Sequence, residues 1–311
     1  PERDHRPRGR IHHPDGGSGL TLPATLRSQA EALAAPLPAL LAQAEHLAAS
    51  VLPGAHGRRR AGRGDEFWQY RQATSSDGGA RIDWRRSGRA DVHFIRETEW
   101  QAAQAVTLWV DRSQAMGFTG DKARLPKAAR ARLLALALSV LLLKSGERVG
   151  LLPALPPRSG RAQLDPLALA LSEDEAATDY GTPPLSPLPA YSQAVFLSDF
   201  LGDPTALQEA VGRAADRGVK GALVQVLDPA EEEFPYRGRS IFESMAGGLR
   251  HETLRASDLQ TRYRARLAER KDMLASLARV TGWQILTHHT DQPAAHALMW
   301  LWHELDAGRG H

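Results

Sequence analysis

The hydrophobic pattern changes character twice along the chain. From Leu26 to Leu52, alanines and leucines recur at helical spacing around Glu31, Glu45 and several prolines, which predicts one or two amphipathic helices stopped at Leu52, Pro53 and Gly54. From 55 to 100 the large apolar residues stand scattered: Trp68, Tyr70, Ile82, Trp84, Val92, Phe94 and Ile95 are set among Gly, Asp and Arg. That texture predicts short strands joined by turns, with SSDGGA as one of the turns. From Val106 onward, compact apolar blocks alternate with longer helical runs. VTLWV, RVGLLP, AVFLS, GALVQVL and WQILTHH read as strands, and RSGRAQL as a segment that pairs beside the second of them. The helical runs are LPKAARARLLALALSVLLLK, a stretch opening at Asp165, another from Asp203 and Pro204 to about Arg217, YRARLAERKDMLASLARVTG, and PAAHALMWLWHEL.

The first of those helices is apolar on nearly all sides beyond Leu133, so it belongs in the middle of a layered domain. Strands and helices in regular alternation imply a mostly parallel sheet covered on both faces. The expected fold class is therefore α/β, a three-layer doubly wound, mostly parallel sheet with an N-terminal helical and short-strand lobe. The expected boundaries are a disordered tail over 1–26, rich in Pro, Gly, Arg and His without periodicity, the lobe over 27–105, the layered domain over 106–305, and a tail over 306–311.

Composition narrows the class. A chain of 311 residues with 42% hydrophobic and 24% charged residues can bury a sizeable core and is not disordered throughout. The absence of cysteine removes disulfides, thiolate metal sites and thiol nucleophiles together, and fits a reducing compartment. The first ten residues carry charge but no apolar stretch of the kind a secretory signal needs, and the longest apolar run, LLALALSVLLL, is too short to cross a bilayer. The expectation is a soluble cytoplasmic protein without membrane insertion. A local excess of arginine, including GRRRAGR, raises the question of nucleic acid. Arginine dominates the basic residues of the whole chain, however, and the aromatics nearby lack the interleaving that base stacking uses, so nucleic acid is the minor alternative.

The candidate chemistry lies where strands end. An open parallel sheet places ligands beyond the carboxyl ends of its strands. VTLWV runs into Asp111 and Ser113, AVFLS into Asp199, and GALVQVL into Asp228. If the first two strands are neighbours, Asp111, Ser113 and Asp199 form an oxygen-only set that suits Mg²⁺ or Mn²⁺ rather than zinc. In a loop of the form D-x-S-x-S the third position here is Ala115, so one hydroxyl is missing and any hold on the ion is weak. The competing reading is that Asp111 caps the following helix.

VDRSQAM followed by the apolar helix, with LSDF at 197–200, resembles the von Willebrand factor A-like fold and its metal-ion-dependent adhesion site. The stretch GRGDEFWQYRQATSSDGGARIDWRRSGRADVHFIRETEW at 62–100 is similar to the signature of the bacterial domain of unknown function family 58, and the resemblance extends over about 56–305. The resemblance implies a non-enzymatic interaction protein, an adaptor or scaffold working with a MoxR-type AAA+ ATPase in assembling or activating other proteins. It also implies that Asp111, Ser113 and Asp199 descend from the metal loop. The motif's threonine has two candidates, Thr178 and Thr182, neither placed by the pattern.

The RIDW block carries Arg81, Asp83, Trp84 and Arg85, residue types that serve either a partner surface or a tie between lobe and layered domain. Phosphate-binding loops, dinucleotide fingerprints, the G-x-S-x-G elbow and H-E-x-x-H are all missing. His296 and His303, seven apart on one helix face, lack a matching carboxylate and read as a surface or packing feature. FPYRGRSIFESM at 234–245 falls outside the alternation and reads as an insertion near a binding face. No catalytic residue is expected. The alternatives to an adaptor are a metal-dependent hydrolase using the same acids, or nucleic-acid binding through the arginine cluster.

Overall fold

The computed structural model describes residues 37–51, 61–72, 87–88, 94–99, 103–173, 178–236, 240–243, 250–253 and 256–307. Arg81, Asp83, Trp84 and Arg85, and the expected tails, lie outside the described residues, apart from the end of the last helix. The chain runs through α1 (Leu37–Val51), β1 (Ala61–Gln72), β2 (Phe94–Glu99), β3 (Ala105–Val110), α2 (Lys127–Lys144), β4 (Arg148–Leu151), β5 (Leu155–Arg158) and α3 (Leu164–Ser172). It continues with β6 (Gln193–Ser198), α4 (Pro204–Asp216), β7 (Lys220–Leu227), α5 (Pro229–Glu233), β8 (Ser240–Glu243), β9 (Arg250–Thr253), α6 (Ala256–Thr281), β10 (Gln284–His289) and α7 (Ala294–Ala307).

Six strands form the central sheet in the order β10-β7-β6-β3-β4-β5. All neighbours pair in parallel except β5, which returns antiparallel to β4 at the edge. The expected α/β, mostly parallel architecture is thus observed. The two sets of alternating side chains separate two cores. Val106, Leu108, Val110, Val195, Leu197, Val224 and Val226 face α1, α2, α3 and α7, whereas Trp109, Ala194, Phe196 and Leu223 face α4 and α6. In α2 every residue from Leu134 to Leu143 is buried, as its unbroken apolar run requires. Helix α1, assigned from sequence to the N-terminal lobe, sinks Ala44 and Ala48 into the same core as α2 and α7.

Two segments depart from the sequence reading. The edge strand is Leu155–Arg158, not RSGRAQL. Prolines are confined to sheet edges because they cannot donate to a ladder; here LPPR occupies that edge, while Gly160 adopts φ 91° and turns the chain into α3. Gln163 explains why the segment stays off the ladder: its Nε2 donates to the carbonyls of Val149 and Pro156 instead. Second, β1 is a long strand of 12 residues rather than a short one, broken by register shifts between Gly62 and Gln69 in its antiparallel pairing with β2. FPYRGRSIFESM, read from sequence as outside the alternation, contributes β8, which pairs antiparallel with β9 outside the main sheet.

The end of β10 is tied back to α2 by Arg130, which donates to the Thr290 carbonyl (2.8 Å) and lies 2.9 Å from His288 Nε2. His288 is 2% exposed, and burial, with Arg130 next in weight, lowers its pKa from 6.5 to about 4. Unfolded chains take up this proton below about pH 6.5, folded ones only below about pH 4, so stability falls as pH drops through that window. The loss approaches on the order of 3 kcal/mol below it. His288→Gln, which can still accept from Arg130, should flatten the difference in urea midpoint between pH 6.5 and 4. An unchanged slope would assign the proton uptake to another group. By contrast His296 and His303 are exposed, a surface feature.

Candidate functional site

Strands β3 and β6 are direct neighbours, with Val110 opposite Leu197 and the Asp111 amide donating to the Leu197 carbonyl at 2.9 Å. Sequence order also reverses here, since β4 lies on one side of β3 and β6 on the other, which is where open α/β sheets place their ligand crevice. The register delivers Asp111 and the Ser198–Asp199 pair side by side. Asp111, Ser113 and Asp199 are 2%, 1% and 1% exposed. The three expected residues are thus all buried at the ends of adjacent strands, Asp111 beside Ser113 and Asp199 one strand away with partners of its own.

Asp111 is engaged from two sides. Its Oδ1 accepts from the Ser113 amide (2.8 Å), and its Oδ2 accepts from the Ser198 hydroxyl (2.6 Å). It does not cap a helix: α2 starts beyond Pro126, and the Asp111 carboxylate closes the turn of its own loop. The segment 178–181 lies across this loop, the Thr178 and Asp179 carbonyls accepting from the Gln114 and Ala115 amides at 3.0 and 2.9 Å. At Gly181 the backbone presses on the carboxylate so closely that a Cβ there would stand 2.0 Å from Asp111 Oδ1. Thr178 and Thr182 are exposed, and it is at Gly181 that the backbone of this segment meets the Asp111 carboxylate. The Ser113 hydroxyl is buried with no hydrogen-bond partner among the described residues.

Asp199 has a different partner. Its Oδ1 accepts from the Leu201 amide (3.0 Å), and its Oδ2 accepts from the Lys127 ammonium at 2.7 Å. The Lys127 Nζ also donates to Glu231 Oε1 at 2.6 Å and sits 5.8 Å from the centre of the Phe118 ring. Lys127 is 0% exposed. Burial alone lowers the pKa of such an ammonium, but attraction and hydrogen bonds from Asp199 and Glu231 outweigh it, and the net shift is upward. Glu231 is fixed in turn by the start of α5, where Asp228 accepts from the Ala230 amide and Glu231 Oε2 accepts from the Asp228 amide in a reciprocal capping box. Asp228, fully buried, also accepts from the Thr290 hydroxyl and meets Arg124 at 3.5 Å.

Aromatic residues surround these charges. Phe234 stands 5.2 Å from Tyr236 and 5.0 Å from Tyr263, ring centre to ring centre. The phenols of Tyr180 and Tyr263 are pushed up, first by burial and then by the nearby carboxylates, Asp199 foremost for Tyr180 and Glu231 for Tyr263. Both therefore stay protonated hydrogen-bond donors at neutral pH. Tyr180 remains 42% exposed on the segment that covers Asp111.

A divalent cation fits this donor set poorly. Both Asp111 oxygens accept internal hydrogen bonds, Ala115 offers no hydroxyl, and Asp199 already carries an ammonium. Among the described residues no group of three or more His, Cys, Asp or Glu is placed to hold a metal ion. Sequence reasoning missed Lys127, Glu231, Ser198 and Gly181. Two signals were available: a lysine in the first turn of an apolar helix, where the helix dipole disfavours a cation, and the spacing of Asp228 and Glu231, which is that of a capping box.

Comparison with known proteins adds the family. A family profile described as "Protein of unknown function DUF58" matches residues 69–273. Among curated proteins none matches. Two solved structures are similar, both at 13% identity over 66% of this chain and 100% of their own: the conserved hypothetical protein BatB from Bacteroides thetaiotaomicron (TM-score 0.36) and an aerotolerance-related membrane protein from Bacteroides fragilis carrying multiple mutations to serines (TM-score 0.40). In this chain, no helix among the described residues is long and apolar enough to cross a membrane.

Proposed function

The chain belongs to the DUF58 family of proteins of unknown function, and from that premise we propose that it is a non-enzymatic, von Willebrand factor A-like adaptor that docks a protein partner, a MoxR-type AAA+ ATPase, on the carboxyl edge of its sheet. The observation that carries this reading is the commitment of the four most buried acids at that edge among the described residues. Asp111, Asp199, Asp228 and Glu231 each accept hydrogen bonds from the protein's own groups. A metal-dependent hydrolase needs a carboxylate or metal-bound water free to move a proton. A docking module needs only a rigid edge with anchoring side chains.

On this reading Asp111, Ser113 and Asp199 are a degenerate adhesion-type metal site that holds Mg²⁺ or Mn²⁺ weakly at best. Tyr180, half-exposed directly above them, is the anchor. The test is the affinity of the purified chain for a MoxR-type ATPase of its own organism. Binding is expected, and Tyr180→Ala should weaken it by about tenfold or more, the loss typical of a truncated aromatic anchor, without moving the melting temperature. No binding, or turnover of phosphoesters abolished by Asp111→Asn, would overturn the reading.

A further inference from the structure

We infer that the Lys127 ammonium is a tethered replacement for the divalent cation at this site, so that its carboxylates are neutralised by the chain itself. The inference stands apart from the docking reading, because it concerns which cation fills the site and not what the edge binds. Three observations carry it.

The first is position. Lys127 Nζ lies 2.7 Å from Asp199 Oδ2 and 2.6 Å from Glu231 Oε1, at the ends of β6 and β7, fully removed from solvent. It reaches there from the first residue of α2, the helix that follows the Asp111 loop. An ion bound to Asp199 would have to share that carboxylate with a positive charge, in surroundings with little solvent to screen the repulsion.

The second is location along the helix. The first turn of α2 lies at the positive end of the helix dipole, which disfavours a cation. A lysine at the opening of a helix buried on all sides is tolerated here because two carboxylates compensate it. The third is what remains of an oxygen-ligand site. The Ser113 hydroxyl is buried beside Asp111 with no partner among the described residues. Asp111 and Ser113 follow β3 and Asp199 follows the adjacent β6, so removal of the ammonium frees an Asp199 oxygen at the neighbouring strand end and leaves these acids without their cation, the condition that favours a hard divalent ion.

The experiment compares Mn²⁺ binding, by the loss of free-ion paramagnetic resonance signal, and melting temperature in chelator and in millimolar Mn²⁺. Wild type should bind no Mn²⁺ and show no shift. Lys127→Ala should bind Mn²⁺ and gain about 3 °C or more on its addition. Lys127→Ala/Glu231→Gln removes one charge of each sign, keeps Asp199, and should show the same gain if the single variant fails to fold. Adding Asp111→Ala should abolish the gain in either background. Mn²⁺ bound by wild type, no Mn²⁺ bound by either lysine variant, or a gain that survives Asp111→Ala would each overturn the inference.

Discussion

Lys127→Ala should lower the free energy of unfolding in chelator by about 3–5 kcal/mol, the usual cost of removing one member of a buried ion cluster. The size of the effect follows from what stays behind. Asp199 and Glu231, with side chains 1% and 11% exposed, would lose the ammonium that both now share, and burial, which already pushes the Glu231 carboxyl up, would force them either to stay charged unpaired or to take up a proton. Water cannot reach Asp199 to replace the ammonium, and each carboxylate would raise the cost of ionising the other. The urea midpoint reads the loss. Converting all three residues to uncharged analogues, Lys127→Met/Asp199→Asn/Glu231→Gln, should recover most of it, because a buried ion cluster and an uncharged packing of similar volume differ little in free energy. A loss below about 1 kcal/mol in Lys127→Ala would mean that the ammonium contributes no more than an exposed surface pair.

The second large effect lies on the opposite face of the sheet. Trp283→Ala should cost about 3–5 kcal/mol, the range for truncating a buried aromatic side chain. Trp283 is 2% exposed, its indole donates to the Val219 carbonyl at 3.0 Å, and its ring meets Phe196 edge-on at 5.2 Å. Gly221 makes room for it: a Cβ there would lie 3.0 Å from the indole and 2.3 Å from the Ala194 carbonyl oxygen. Trp283→Phe keeps ring packing but leaves the carbonyl unpaired, and should cost about 1–3 kcal/mol. Because α2, which carries Lys127, packs into the other core, neither substitution should change the response to Mn²⁺. Equal losses in the two variants would show that the hydrogen bond, not ring volume, sets the cost.

How much was legible depended on where the determining contacts lie in the chain. Strands β3, β6 and β7 were readable because each is a compact apolar block, buried wholly or in large part, β10 because its short apolar run follows a glycine although only His288 in it is buried, and α2 because its apolar run is unbroken. Asp203 and Pro204 likewise announced α4 locally, and the Asp203 side chain accepts from the Thr205 amide as a cap should. Edge strand β5 was misplaced by several residues, since two prolines concealed a strand whose only ladder is at the sheet margin. The acids of the site could be named because strand ends are local features. Their partners could not. Lys127 meets Asp199 and Glu231 across 72 and 104 residues of sequence, contacts that only the folded register of β3, β6 and β7 creates. Gly181 escaped for the same reason: its role is to leave room for the Asp111 carboxylate, and nothing in the residues around it reports that neighbour.

The most direct measurement is a crystal structure of the wild-type protein grown in millimolar Mn²⁺, with anomalous differences collected above the manganese edge. The account predicts no anomalous peak among Asp111, Ser113 and Asp199, and the Lys127 ammonium seated between Asp199 and Glu231. A manganese peak within coordinating distance of Asp111 and Asp199, with Lys127 displaced from both acids, would contradict it.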